Sequence, residues 1–409
     1  LMEIYLSILN ILLEVYAGKN LNEVLIRYNN QDNFPKIKNI TYGILRNYYS
    51  INYSIDKLVK HSNLQSRILL QIGIFELKYS KKPEYAVIND LVNFSFDLTE
   101  NEKIKNFING VLREYLRQVE LLDLDIQKDY SLKYNIPDWI ITKLKKQSKE
   151  NYLQFLNGFN HHPAFGLRVN KRKINQDEYL LKLDEANLEY KLIQNKICLV
   201  KPINITALPL FNDGFISIQD IAAQSSIEIL TKHQIQPKYV LDACAAPGGK
   251  TCQLLENINC EVVALDIDET RLNKVSDNLK RLNLVAELKL GNAMNKLWWN
   301  KKLFNLIIAD VPCSASGTLK RNPDIKINRR ESDIVNFVET QRNIVINLWD
   351  MLDTNGFMLY ITCSIFKEEN QDNIEWFKSN LNDFELIEQF QIIPTEYNDS
   401  LFYALIKKR

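Results

Sequence analysis

Over residues 1–125 apolar side chains return every three or four positions, as in S-I-D-K-L-V-K and the S-R-I-L-L-Q-I-G-I-F-E-L-K-Y that follows. Such spacing gathers them on one helix face, and almost no strand-like alternation interrupts it. An all-helical domain is predicted there. Between 126 and 215 the pattern is mixed: P-D-W-I-I-T-K-L is helical and F-G-L-R-V-N strand-like, so a small α/β connector is expected. From 216 to 409 short apolar runs alternate with amphipathic segments: Y-V-L-D-A, E-V-V-A-L-D, A-E-L-K-L, F-N-L-I-I-A-D and G-F-M-L-Y-I-T. That alternation predicts a doubly wound, mostly parallel sheet with helices on both faces.

Composition narrows the class further. With 409 residues, 46% apolar and 25% charged, the chain suits several globular domains and argues against disorder. The segment from Leu1 to Lys19 is apolar enough for a leader, yet it carries Glu3 and Glu14 and lacks a basic start, so it reads as an amphipathic first helix. No run approaches the roughly 18 apolar residues of a membrane span. A soluble cytoplasmic protein with no membrane contact is expected, and a monomer. Six cysteines, none in a C-x2-C pair, predict neither a disulfide scaffold nor a metal site. The eight-residue spacing of Cys244, Cys252 and Cys260 matches no metal geometry, and His161 and His162 read as a solvated loop.

A net charge of +1 is low for a nucleic-acid-binding protein, but basic residues cluster. One cluster is Lys143, Lys145, Lys146 and Lys149; a second is Arg168, Lys171, Arg172 and Lys173; a third is Lys320, Arg321, Lys326, Arg329 and Arg330. Any one of them is ordinarily a solvated surface, while three together suggest a channel that tracks phosphates.

The run Y-V-L-D-A-C-A-A-P-G-G-K-T passes from a strand through a loop of small residues into a helix near Thr251. Ligands of doubly wound folds lie at such loops, where Gly248 and Gly249 let the backbone come close. Neither G-x-G-x-x-G nor a phosphate-binding loop is present, so no pyrophosphate is demanded. Asp266 ends the next strand, where an acidic side chain accepts hydrogen bonds from a ribose, whereas Asp268 suits a helix cap. A ribose-bearing cofactor without pyrophosphate contacts points to S-adenosylmethionine ahead of NAD. Two further strand ends carry thiols, D-V-P-C-S-A-S-G with Cys313 and Y-I-T-C-S with Cys363. Local context leaves either free to be a nucleophile.

L-D-A-C-A-A-P-G-G-K-T, D-V-P-C-S-A-S-G and Y-I-T-C-S-I-F-K-E-E-N resemble three motifs of the RNA 5-cytosine methyltransferases. Further matches are F-I-S-I-Q-D, A-L-D-I-D-E-T-R-L with D-N-L-K-R-L, and N-P-D-I-K with Arg329 and Arg330. Ahead of them, I-T-Y-G-I-L-R-N, S-I-D-K-L-V, I-L-L-Q-I-G-I-F-E-L, Y-A-V-I-N-D-L-V and F-I-N-G-V-L-R resemble, in order, motifs of the NusB family of helical RNA-binding domains. The combination is similar to the RsmB (Sun) type, which modifies a cytosine of small-subunit (16S) ribosomal RNA.

The resemblance implies a NusB-like domain, an α/β connector and a Rossmann-like methyltransferase domain. It implies that S-adenosylmethionine is held by Cys244, Ala245, Ala246, Pro247, Gly248, Gly249, Lys250, Asp266, Asn292 and Asp310. It also assigns attack on cytosine carbon 6 to Cys363, with Cys313 assisting release and Asp310 steering the protonated ring. Lys320, Arg321, Lys326, Arg329 and Arg330 would hold phosphates beside a base flipped from a single-stranded or locally opened region of ribosomal RNA. Two positions depart from the family pattern: Asn292 stands where Asp is frequent, and Val311 where Ala is usual. The same chemistry on transfer RNA remains open. A NusB-like RNA-binding factor with a vestigial methyltransferase domain is disfavoured by the retention of both cysteines, Asp310 and the cofactor loop.

Overall fold

A computed structural model describes residues 2–409 and divides the chain into two compact units, Leu1–Tyr152 with Leu319–Arg329, and Leu153–Thr318 with Arg330–Arg409. The first unit is helical throughout, from Met2–Tyr16 to the 27-residue helix Glu102–Lys128 and on through Asp138–Gln147. Asparagines start several of these helices. Asn20, Asn63 and Asn101 each accept a hydrogen bond from an amide of the first turn that has no partner within its helix. The apolar faces meet in one core that includes Tyr5, Leu12, Ile44, Ile55, Ile72, Leu91 and Leu112. The helices Tyr130–Tyr134 and Asp138–Gln147, expected with the connector, join this unit, tied in part by Asn135 Oδ1, which accepts from the amide of Ser50 at 2.9 Å. Among the described residues no helix is long and apolar enough to cross a membrane.

Residues 319–329 are an excursion that returns to the helical unit. Leu21 N donates to Asp324 Oδ2 at 3.2 Å, Arg46 Nε to the Lys320 carbonyl at 3.1 Å and the Tyr49 hydroxyl to the Lys326 carbonyl at 2.8 Å. The expected phosphate-holding ridge is corrected here: Lys320 is 0% and Lys326 3% exposed, and Arg321 and Arg329 are half-buried. Anchoring the segment's backbone to the helices carries its long side chains into the interior. Arg330, exposed, belongs to the other unit.

Burial, helped by the Arg46 charge, lowers the Lys326 ammonium to about 7. Because that value lies below the unfolded one, the folded state resists the proton; the cost is absent above the unfolded value near pH 10 and complete below pH 7. Lys326→Met is therefore expected to stabilise the protein at pH 6 by on the order of 2 kcal/mol, with the gain fading towards pH 10. Urea unfolding at both pH values checks this.

The second unit carries two sheets. The smaller is antiparallel in the order β2-β3-β1-β4, with β1 Phe165–Val169, β2 Tyr190–Ile193, β3 Lys196–Leu199 and β4 Ile216–Ile218. Its core joins Leu167, Ile197 and Ile216 to Tyr179 and Leu183 of the helix Gln176–Glu185. The larger sheet contains β5 Tyr239–Ala243, β6 Glu261–Asp266, β7 Glu287–Leu290, β8 Phe304–Asp310, β9 Leu352–Thr362, β10 Phe384–Ile392 and β11 Leu401–Lys408.

These strands run β10-β11-β9-β8-β5-β6-β7, parallel from β5 to β9, with antiparallel β11 and β10 at one edge. The five parallel strands are those the alternation predicts; the edge pair is not among them. Strand order reverses between β5 and β8, and a crevice at the strands' carboxyl ends is where such sheets take ligands. Every loop carrying a sequence-predicted cofactor or thiol residue leaves that end.

Candidate active site

The loop after β5 is shaped by its backbone. Cys244 has φ +64° and Gly248 φ +96°. A Cβ on Gly248 would lie 3.0 Å from the Val275 side chain and 3.2 Å from its Cα, so both conformation and space require glycine there. Asp266, at the end of β6 and 2% exposed, accepts the Ala246 amide at 3.0 Å and the Asp268 amide at 3.1 Å. It thereby fixes the loop against the neighbouring strand. Asp268 caps the helix Glu269–Leu282 by accepting from Arg271 N at 2.9 Å, as its position predicts. Asn292 lies one strand further, next to Gly291, whose amide donates to the Asp266 carbonyl at 3.0 Å. Its side-chain oxygen accepts from Met294 N at 2.9 Å, closing the turn.

Carboxylates gather at these strand ends. Asp242, 1% exposed, accepts from the Thr251 hydroxyl at 2.5 Å through Oδ2, and its Oδ1 has no partner among the described residues. Burial pushes its carboxyl up to about 7. Lys250 Nζ donates to Asp310 Oδ2 at 2.6 Å. Burial works most strongly against the Lys250 ammonium, but Asp310, Asp242 and Cys363 together outweigh it, and the net shift is upward.

The two thiols converge. In the β8–β9 pairing Asp310 lies opposite Ile361, which brings both following loops to the same end of the sheet. Cys313 Sγ and Cys363 Sγ are 3.3 Å apart. Gly317 N donates to the Cys363 carbonyl at 2.8 Å, and a Cβ on Gly317 would lie 2.2 Å from the Ser400 carbonyl oxygen, so the loop closes only around glycine. The hydrogen bond to Cys363, and then burial, push the Cys313 thiol well above its ordinary value. A sulfur that keeps its proton can donate a hydrogen bond but attacks poorly. Burial likewise pushes Cys244 and Cys252 up to about 12 and Cys260 to about 11, which leaves the eight-residue cysteine spacing without reactive thiols.

A second correction concerns Arg168, expected in a phosphate-tracking cluster. Arg168 is 6% exposed and bonds inward. Its Nε and Nη2 donate to the two Glu256 oxygens at 2.7 and 2.9 Å, and Nη1 donates to Gln219 Oε1 at 2.8 Å and to the Gly249 carbonyl at 2.9 Å. Through the Gly249 carbonyl the guanidinium braces the end of the loop after β5. Arg172 is exposed, with Nη2 donating to the Ile258 carbonyl at 3.2 Å. Of the first cluster, Lys145, Lys146 and Lys149 remain exposed.

Sequence reasoning missed Arg168, Gln219 and Glu256 in this role, and also Glu369 and Gln341, which bond the thiol loops. A lone Arg or Glu inside an amphipathic pattern gives no local signal of its partner.

Comparison with known proteins agrees with this architecture. A model described as 16S rRNA methyltransferase RsmB/F matches residues 229–405, the NusB family matches 7–117, and an RsmF/B-like ferredoxin-like domain matches 136–206. The chain is 36% identical over 393 residues to the ribosomal RNA small subunit methyltransferase B of Photorhabdus laumondii, spanning 92% of this chain and 90% of that one. With the protein of the same name from Pasteurella multocida the identity is 34% over 418 residues, 96% and 92% of the two chains. Among solved structures, PH0851 superposes with a TM-score of 0.78 at 24% identity over 95% of this chain and 94% of its own. A methyltransferase homologue from Pyrococcus horikoshii gives 0.60 at 24% identity over 69% and 98%. These two likenesses establish the fold.

Proposed function

Because the chain belongs to the RsmB/F family of 16S ribosomal RNA methyltransferases, we propose that it transfers a methyl group from S-adenosylmethionine to carbon 5 of a cytosine in small-subunit ribosomal RNA. The observation that carries this reading is the pair of thiols 3.3 Å apart beside Asp310 and Lys250.

The strand-end residues fit the donor. Asp242, Asp266 and Asp310 make the ends of β5, β6 and β8 acidic, which suits a cationic sulfonium and ribose hydroxyls and opposes a pyrophosphate. The unpartnered Asp242 Oδ1 and the glycine-lined turn at Gly248 supply an acceptor and close backbone approach. Cys244, Ala245, Ala246, Pro247, Gly248, Gly249 and Lys250 would form one wall, with Asp266 and Asn292 towards the nucleoside. When bound, S-adenosylmethionine supplies an electrophilic methyl group.

Cytosine carbon 5 is too poor a nucleophile to react unaided. The Cys363 thiolate adds to carbon 6 and pushes electron density onto carbon 5. Asp310 accepts a hydrogen bond from the protonated ring nitrogen and so stabilises the adduct. Cys313 keeps its proton and donates it as a hydrogen bond to the Cys363 sulfur when that sulfur departs, after a base has taken the carbon 5 proton. Reaching both sulfurs requires a base unstacked from its neighbours, hence a single-stranded or opened site. Arg330 is the one residue of the expected phosphate-holding set that is exposed.

Bisulfite sequencing of ribosomal and transfer RNA from cells with and without the gene tests the assignment. Loss of a single 5-methylcytosine from small-subunit ribosomal RNA is expected. Loss confined to transfer RNA would reassign the substrate, and loss nowhere would refute the activity.

A further inference from the structure

Glu369 lies six residues beyond Cys363 and is 0% exposed, an uncommon place for a carboxylate. Four donors converge on its two oxygens. Oε1 accepts the Ser314 amide at 2.8 Å and the Gln341 amide nitrogen at 3.0 Å; Oε2 accepts the Ser314 hydroxyl at 2.6 Å and the Ser364 hydroxyl. Ser314 directly follows Cys313, and Ser364 directly follows Cys363. One carboxylate therefore grips both thiol loops, each at the residue next to its cysteine. Gln341 is itself fixed, because Asn373 donates to its Oε1 at 2.8 Å and its Nε2 also donates to the Pro312 carbonyl at 3.0 Å. The Tyr360 hydroxyl donates to the Glu369 carbonyl at 2.7 Å and holds the backbone of the grip.

Direct bonds also lace the loops: Ile365 N to Ser316 Oγ at 3.0 Å, Gly317 N to the Cys363 carbonyl at 2.8 Å, Ser314 Oγ to Ser364 Oγ at 3.2 Å, and Ser316 Oγ with Ser364 Oγ at 3.3 Å. The contact between Ser314 and Ser364 is long beside their bonds to the carboxylate, which gathers both hydroxyls on one oxygen. Only a group that accepts without donating satisfies all four partners of Glu369, and hydrogen bonds to a carboxylate are shorter and stronger than neutral ones.

We infer that Glu369 is a positioning residue that holds the Cys313 and Cys363 loops in register, so that attack by one sulfur and release assisted by the other occur on the same base. The inference rests on the reading of these two cysteines as the reacting thiols. Glu369→Gln keeps the volume but cannot keep the pattern. With its amide nitrogen at the Oε1 position it meets Ser314 N–H and the Gln341 amide, both donors; in the flipped orientation two hydroxyls must turn round to accept.

The readout is the proximity of the sulfurs themselves. Equilibration with oxidised and reduced glutathione converts the two thiols to a disulfide while one oxidised glutathione becomes two reduced molecules, and alkylation with mass spectrometry gives the fraction oxidised. Relative to the parent, Glu369→Gln is expected to lower the effective concentration of the pair by about tenfold or more, to lower kcat by about tenfold to a hundredfold, and to leave the KM for S-adenosylmethionine within about twofold. A simple loss of stability would move none of the three while the protein is folded, which thermal unfolding verifies. If Glu369→Gln does not fold, Ser364→Ala, which removes one donor, carries the same test. Oxidation identical to the parent's would overturn the inference, as would altered oxidation with unchanged turnover. Retained turnover in Cys363→Ala would instead refute the assignment of the nucleophile and leave the oxidation result standing.

Discussion

Cys363→Ala is expected to lower methyl transfer by on the order of 10⁴-fold or more, the scale seen when a covalent nucleophile is removed. No covalent protein–RNA adduct should form. Cys313→Ala should also turn over poorly, but for a different reason: attack proceeds and release fails, so an adduct stable to denaturing electrophoresis accumulates. The asymmetry follows from the assignment of attack to Cys363, with the 3.3 Å contact placing Cys313 within reach of the departing sulfur. Denaturing electrophoresis with radiolabelled RNA separates the two variants. An adduct in Cys363→Ala and none in Cys313→Ala would exchange their roles.

Glu256→Ala is expected to destabilise the unit containing the catalytic sheet by about 3–5 kcal/mol, because it leaves the Arg168 guanidinium buried without its counter-charge. For a unit of this size that corresponds to a fall in Tm on the order of 10 °C. Arg168→Met should cost a similar amount by stranding Glu256. Removing both ions together, Arg168→Met with Glu256→Leu, should cost markedly less than the sum of the two, since no unpaired charge then remains. A second effect accompanies the loss of the guanidinium: the Gly249 carbonyl loses its donor, so S-adenosylmethionine binding should weaken in Arg168→Met even below the unfolding transition. Calorimetry of unfolding and of binding on the same variants separates these effects, and additive single and double costs would refute the pairing.

The pH already modulates these outcomes. Raising the Asp242 carboxyl to about 7 means that the folded state holds its proton more tightly than the unfolded chain does. The associated stability is complete below pH 4 and is lost as pH rises towards 7. Comparisons among variants therefore belong at one pH.

Much of this protein was legible without coordinates, and the reason is that the legible parts are local. Helical periodicity through Leu112, the five parallel strands, the small-residue loop at Cys244–Lys250 and the strand-end cysteines are each read within a single element or loop, where spacing and residue type decide conformation. Parallel strands buried on both faces read as apolar runs, so the sheet end that carries the site follows from their order in the chain. The antiparallel edge strands β10 and β11 follow one another with no helix between them and went unpredicted.

Tertiary structure decided the rest, because burial and pairing join residues far apart in sequence. Arg168 meets Glu256 across 88 residues, and Ser314 meets Glu369 across 55; no spacing rule anticipates either. Lys320 and Lys326 look like surface cations by type, yet the docking of residues 319–329 on the helical unit buries them. The division of labour between the thiols was likewise beyond the sequence taken residue by residue, since both cysteines follow apolar strands. Tertiary structure adds that the two sulfurs lie 3.3 Å apart, a contact that no local spacing specifies.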